Sequence, residues 1–120
     1  MTRLRSLLDS EERGYIRAVV IGGGYSGVEM ATSLAESIGS KRAVVSIIDR
    51  NSKIMSSSPS HNQETADKSL RTLGVSTYLD TSVVEIESNR VKLVRKAAED
   101  DEEPSEEFWV DADLVILTAG

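Results

Sequence analysis

The stretch AVVIGGGYSGVEM, from Ala18 to Met30, constrains the fold more than any other part of the chain. A short apolar run rich in Val and Ile leads directly into Gly22, Gly23 and Gly24, and an amphipathic, Ala-containing stretch takes over after Gly27. The order is strand, glycine turn, helix. In such a unit the first glycine allows the tight turn, the second lets the backbone approach a pyrophosphate, and the third packs helix against strand. Gly22, Gly24 and Gly27 occupy those three places. The amides left free at the helix start would face phosphate oxygens, where the macrodipole favours negative charge.

Glycine-rich turns also occur for backbone reasons alone, so the context has to carry the reading. A second apolar run, Ala43 to Ile48, ends in Asp49, 22 positions beyond Gly27. That is close to the spacing of roughly 20 residues at which an acid meets the ribose of a bound dinucleotide. Asp49 is therefore the candidate acceptor for an adenosine ribose, two strands' width from the glycines. Arg50 beside it is the candidate receiver of a 2′-phosphate, which leaves both NADH and NADPH open, with Asp49 favouring NADH.

At 120 residues the chain suits one domain with a small core. The 20 acidic residues outnumber the 14 basic ones, and no basic run with interleaved aromatics occurs, which argues against a nucleic-acid partner. The absence of cysteine excludes disulfides, thiolate metal sites and a CxxC redox centre, so any redox work needs a bound cofactor to carry electrons. No apolar run approaches the roughly 20 residues that span a bilayer. The N-terminal MTRLRSLLDSEERGY lacks the apolar core of a secretory signal.

In chain order, Leu4, Leu7 and Leu8 predict a short helix within a linker over residues 1–16, ahead of a domain over 17–120. A strand at about Ile16–Ile21 precedes a helix at about Ser26–Ile38, with Val28, Ala31, Leu34, Ala35 and Ile38 on one face and Gly39 as its C-terminal cap. After the strand Ala43–Asp49, the polar, Ser-rich stretch Arg50–Ser60 reads as a solvated loop. A helix follows over about Asn62–Leu73, ending at Gly74; the solitary His61 before it reads as an ordinary polar residue. Short strands are expected at Val75–Leu79, Ser82–Glu87, Arg90–Arg95, Phe108–Val110 and Leu114–Thr118, with a hairpin turn at Ser88–Asn89. The acidic segment between Lys96 and Glu107, which includes Glu106 and Glu107, reads as a mobile hairpin tip. The fold class is α/β: a Rossmann-like parallel sheet with helices on its faces and an inserted antiparallel β-meander. A nucleotide would sit beyond the carboxyl ends of the parallel strands, where the glycine turn, Asp49 and Thr118 to Gly120 converge.

VVIGGGYSGVEMA, the acid-terminated second strand, SPSHNQETADKSLRTLGV and the closing DADLVILTAG together resemble the nicotinamide-binding domain of two-dinucleotide flavoprotein reductases. Within that group the chain is most similar to the type II NAD(P)H:quinone dehydrogenases of the plant and cyanobacterial branch. The resemblance implies that Gly22, Gly23, Gly24, Tyr25, Ser26 and Gly27 line the pyrophosphate, and that Glu29 lies near the nicotinamide and flavin. It also implies that Asp49 holds the ribose and that Ala119 and Gly120 pass beside the cofactor. For Glu29 the alternative is a first-turn acid serving the helix dipole; for Asp49 it is a loop cap. FAD, in a flavin domain of the same parent chain, and a quinone acceptor are the further partners implied. Membrane contact is expected only through segments outside this chain, as in a peripheral protein of a plastid, mitochondrion or bacterial cytoplasmic face. On this reading the chain is an excised or truncated domain with little turnover of its own and no catalytic side chain or metal ligand. Two alternatives stay open: the FAD-binding half of another flavoprotein, and a non-catalytic nucleotide-binding module.

Overall fold

The computed structural model describes residues 15–39, 41–96 and 105–118. The expected N-terminal helix, most of the acidic segment, Ala119 and Gly120 lie outside them. Among the described residues, nine elements follow in the order β1 (Ile16–Ile21), α1 (Tyr25–Ile38), β2 (Ala43–Ile48), α2 (Ser60–Thr72), β3 (Ser76–Tyr78), β4 (Thr81–Ile86), β5 (Arg90–Arg95), β6 (Glu106–Asp111) and β7 (Leu114–Leu117). The first strand has the bounds expected from the sequence, and its first residue, Ile16, is buried and pairs with Ala43.

Four strands form an all-parallel sheet in the order β3-β2-β1-β7, and β4-β5-β6 form a separate antiparallel sheet. Successive side chains on a strand point to opposite faces, and the two faces of β1 meet different layers. Ala18 and Val20 pack with Val45 and Ile47 under the two helices, while Val19 packs with Ile48 against Val91 and Leu93 of the meander. Burial on both sides explains why β1 beyond Arg17, from Ala18 to Ile21, reads as an unbroken apolar run rather than an alternating one.

The inward face of α1 consists of Gly27, Val28, Ala31, Leu34, Ala35 and Ile38, at helical spacing. Gly39 ends it at a φ of 88°, its N–H bonding the Ala35 carbonyl. The second helix starts at Ser60, two residues before its expected beginning, and buries Leu70 alone. The stretch before it is more than a solvated connection, because Ile54 and Met55 are buried and Gln63 Nε2 donates to the carbonyls of Met55 and Ser58 at 3.0 Å. Two apolar residues in a polar stretch carry too little periodicity to reveal this.

The acidic segment also needs correction. Glu106 and Glu107 are not part of a mobile tip: they open β6, pair in register with Arg95 and Val94, and form ion pairs with Arg95 and Lys92. Cross-strand cations offset the repulsion that made the segment look unstructured. The hairpin turn at Ser88–Asn89 is present, closed by the Glu87 N–H on the Arg90 carbonyl.

Candidate functional site

The glycine turn is locked from three sides. Gly22, at a φ of 113° that side chains rarely adopt, donates its N–H to the Ile48 carbonyl of β2 at 2.8 Å. From the residue after β7, the Thr118 hydroxyl donates to the Ile21 carbonyl at 2.9 Å and also reaches the Gly22 carbonyl. From the loop after β2, the Met55 N–H donates to the Gly23 carbonyl at 2.7 Å. The turn therefore joins three segments far apart in sequence.

Space explains two of the other glycines. A Cβ on Gly27 would run into the Gly22 carbonyl, whose carbon would lie 2.8 Å away, so helix and turn meet backbone to backbone. A Cβ on Gly23 would lie 2.5 Å from Asp49 Oδ2. Gly23 thus makes room for the acid. Gly24 differs, since its φ of −75° and ψ of −171° suit any residue. Its own backbone does not demand a glycine, which fits a position that something else must approach closely. Gly24 is the N-cap of α1; no side chain caps that end and no acid occupies the first turn.

Asp49 follows β2 directly, one strand from the glycines rather than two, because β2 is the immediate neighbour of β1. It is 8% exposed. Its Oδ1 accepts from the backbone N–H of Asn51 at 3.2 Å and from Asn51 Nδ2 at 3.3 Å. The Asp49 carbonyl accepts the Thr81 N–H, and the Asn51 carbonyl accepts the Asp80 N–H. Asp80 has a φ of 52° and takes a 2.7 Å hydrogen bond from the Ser52 hydroxyl. The junction between the two sheets thereby buttresses the acid.

Gly22, Asp49 and Arg50 come together around one groove of about 460 Å³ at the carboxyl ends of the parallel strands, with Asn51, Thr81 to Val83 and Thr118 also in its wall. Tyr25 and Glu29 instead line a second hollow of about 600 Å³ between α1 and α2, with Met55 and His61. Glu29 is the fifth residue of α1, so it is not the first-turn acid of the dipole alternative. Tyr25 and Ser26, at the start of the helix, are exposed. Asn51, Met55, Asp80 and Thr81 to Val83 were not among the sequence candidates. Only the acid-loop position of Asn51 carried any signal, as a residue two beyond an Asp.

Among the described residues, no group of His, Asp and Glu could hold a metal ion, and no helix is long and apolar enough to cross a membrane.

Demethylphylloquinone reductase NdbB of Synechocystis sp. is 34% identical over 118 residues, covering 98% of this chain and 27% of that protein. NDH2 of Plasmodium falciparum, solved in complex with NADH, superposes with a TM-score of 0.82 at 15% identity, over 98% of this chain and 27% of its own. An NAD-dependent persulfide reductase from A. fulgidus gives a TM-score of 0.67 at 23% identity, over 98% of this chain and 19% of that one. The two structural likenesses concern the fold, and the chain spans about a quarter of the first two proteins. The pyridine nucleotide-disulphide oxidoreductase family matches residues 2–120, and this chain belongs to it.

Proposed function

We propose that residues 17–120 bind NADH, or less readily NADPH, across the carboxyl ends of β1, β2 and β7, and present the nicotinamide to a flavin held outside this chain. In the parent protein the flavin would then reduce a quinone. The observation that carries the reading is a groove at the carboxyl ends of the parallel strands that holds both Gly22 of the glycine turn and the buried Asp49, with the uncapped start of α1, at a Gly24 whose torsions require no glycine, two residues further along the chain. These features suit a diphosphate at one end and a ribose at the other. Sequence kinship to a demethylphylloquinone reductase supports the quinone as acceptor.

The bound nucleotide supplies the hydride chemistry. The chain's own groups bind and orient. Gly22 and Gly27 shape the turn and its packing so that the free amides at the start of α1, from Gly24 onward, meet the diphosphate, flanked by Tyr25 and Ser26, and Gly23 keeps space for Asp49. The Asp49 carboxylate accepts the ribose hydroxyls, with Arg50 beside it as the 2′-phosphate partner. Glu29 is assigned to the nicotinamide end, and Ala119 and Gly120 to the segment passing beside the cofactor. Holding the ring in one orientation is the contribution that lowers the barrier, through proximity rather than through a reacting side chain.

Isothermal titration of the purified chain with NADH and NADPH tests this. Saturable NADH binding, weaker NADPH binding and a colourless protein are expected. A protein that purifies with flavin absorbance would favour the FAD-binding half instead, and steady quinone reduction by the chain alone would refute the division of labour.

A further inference from the structure

We infer that Asn51 is a positioning residue that sets the NADH-over-NADPH choice by fixing the rotamer of Asp49. The inference rests on the ribose role proposed for Asp49 and goes one step beyond it. Asp49 Oδ1 is committed twice to the same neighbour, through the backbone N–H and the Nδ2 of Asn51. Its other oxygen, Oδ2, lies against Gly23. The carboxylate is thus held between the glycine turn and the following loop.

Asn51 is itself anchored. Its carbonyl takes the Asp80 N–H at 3.0 Å, and Asp80 is tied by its carboxylate to Ser52 and by its carbonyl to Lys96. The next residue, Thr81, is fully buried and donates its N–H to the Asp49 carbonyl at 2.9 Å. The clamp therefore runs from the acid through Asn51 to the first residues of the meander.

The chemical consequence concerns the 2′ position. A carboxylate that cannot turn away accepts a ribose hydroxyl and repels a 2′-phosphate. One that can withdraw stops doing both, and the exposed Arg50 on the same loop becomes free to receive the phosphate. Removing the Asn51 side chain should therefore move the two nucleotides in different directions. A merely structural effect would weaken both alike.

The test is titration of the purified chain with NADH and with NADPH, for Asn51→Ala, Asn51→Asp, Asp49→Ala and the Asp49→Ala/Asn51→Ala double variant, each checked for folding by its thermal midpoint. Asn51→Ala should weaken NADH by about two- to tenfold, the span of one hydrogen bond's net worth, while NADPH holds or improves. Asn51→Asp, which sets a second carboxylate against the first, should weaken NADH further. In the Asp49→Ala background the Asn51 change should add nothing, because its effect passes through Asp49. Equal weakening of both nucleotides, or an additive loss in the double variant, would overturn the role of Asn51 while leaving Asp49 in place. An Asp49→Ala variant with unchanged NADH affinity would overturn the ribose assignment itself, and the clamp with it. Should Asn51→Ala fail to fold, Asn51→Ser is measured against the same outcomes.

Discussion

Replacing Gly27 by alanine and, separately, Gly24 by alanine should damage different properties, although both residues belong to one motif. At Gly27 the new methyl group would enter the space of the Gly22 carbonyl, with the carbonyl carbon only 2.8 Å away. Neither partner can yield by rotating a side chain, since helix and turn are both backbone there. The cost should sit at the upper end of overpacking penalties, about 3 kcal/mol. For a chain of this length an unfolding entropy near 0.25 kcal/mol/K makes 1 kcal/mol worth about 4 °C, so the melting temperature should fall by about 12 °C. At Gly24 the torsions already suit alanine, and the loss is that of a poorer N-cap, about 0.5–1 kcal/mol or roughly 2–4 °C. Nucleotide affinity should instead drop at least about tenfold, or 1.4 kcal/mol, because a Cβ would stand where the diphosphate is proposed to meet the main chain. Differential scanning calorimetry and NADH titration on the two variants give the four numbers. A Gly24→Ala protein that binds NADH within a factor of about two of the parent would refute diphosphate docking at the helix start. A Gly27→Ala protein that melts within a few degrees of it would refute the backbone contact.

Thr118→Val keeps the shape but removes the hydroxyl that bonds the Ile21 carbonyl, so urea denaturation should report a loss of about 1 kcal/mol, with weaker nucleotide binding as the glycine turn loosens. Leu93 is fully buried between the meander and the parallel sheet, and Leu93→Ala should cost about 2–5 kcal/mol in the same assay. Asp113, 8% exposed, accepts the Arg17 N–H at 2.8 Å at the amino end of β7, away from the groove. Asp113→Ala should therefore lower stability by about 1–3 kcal/mol while leaving NADH affinity unchanged, and a loss of affinity in a folded sample would place the site wrongly.

Much of this protein was legible along the chain because its signals are local. The apolar run into Gly22, the helical spacing of Val28, Ala31, Leu34, Ala35 and Ile38, and the acid closing the second strand each depend on neighbours within a few residues, where backbone sterics and side-chain period act. They were enough for the α/β class, the parallel sheet with its inserted meander, and Gly22, Gly24, Gly27 and Asp49 as candidates. What surrounds those candidates was decided by residues distant in sequence. Thr118 reaches Gly22, Met55 reaches Gly23, Asp80 braces Asn51, and Glu106 and Glu107 are held in a strand by cations across the sheet. None of these contacts has a periodicity, since each exists only once the sheet has brought its strands side by side. Packing also puts Tyr25 and Glu29 on a different hollow from that of Asp49. The sequence alone marked a glycine turn between a strand and a helix; tertiary packing alone determined how the acid beside it is held, because a carboxylate's orientation is set by the donors around it.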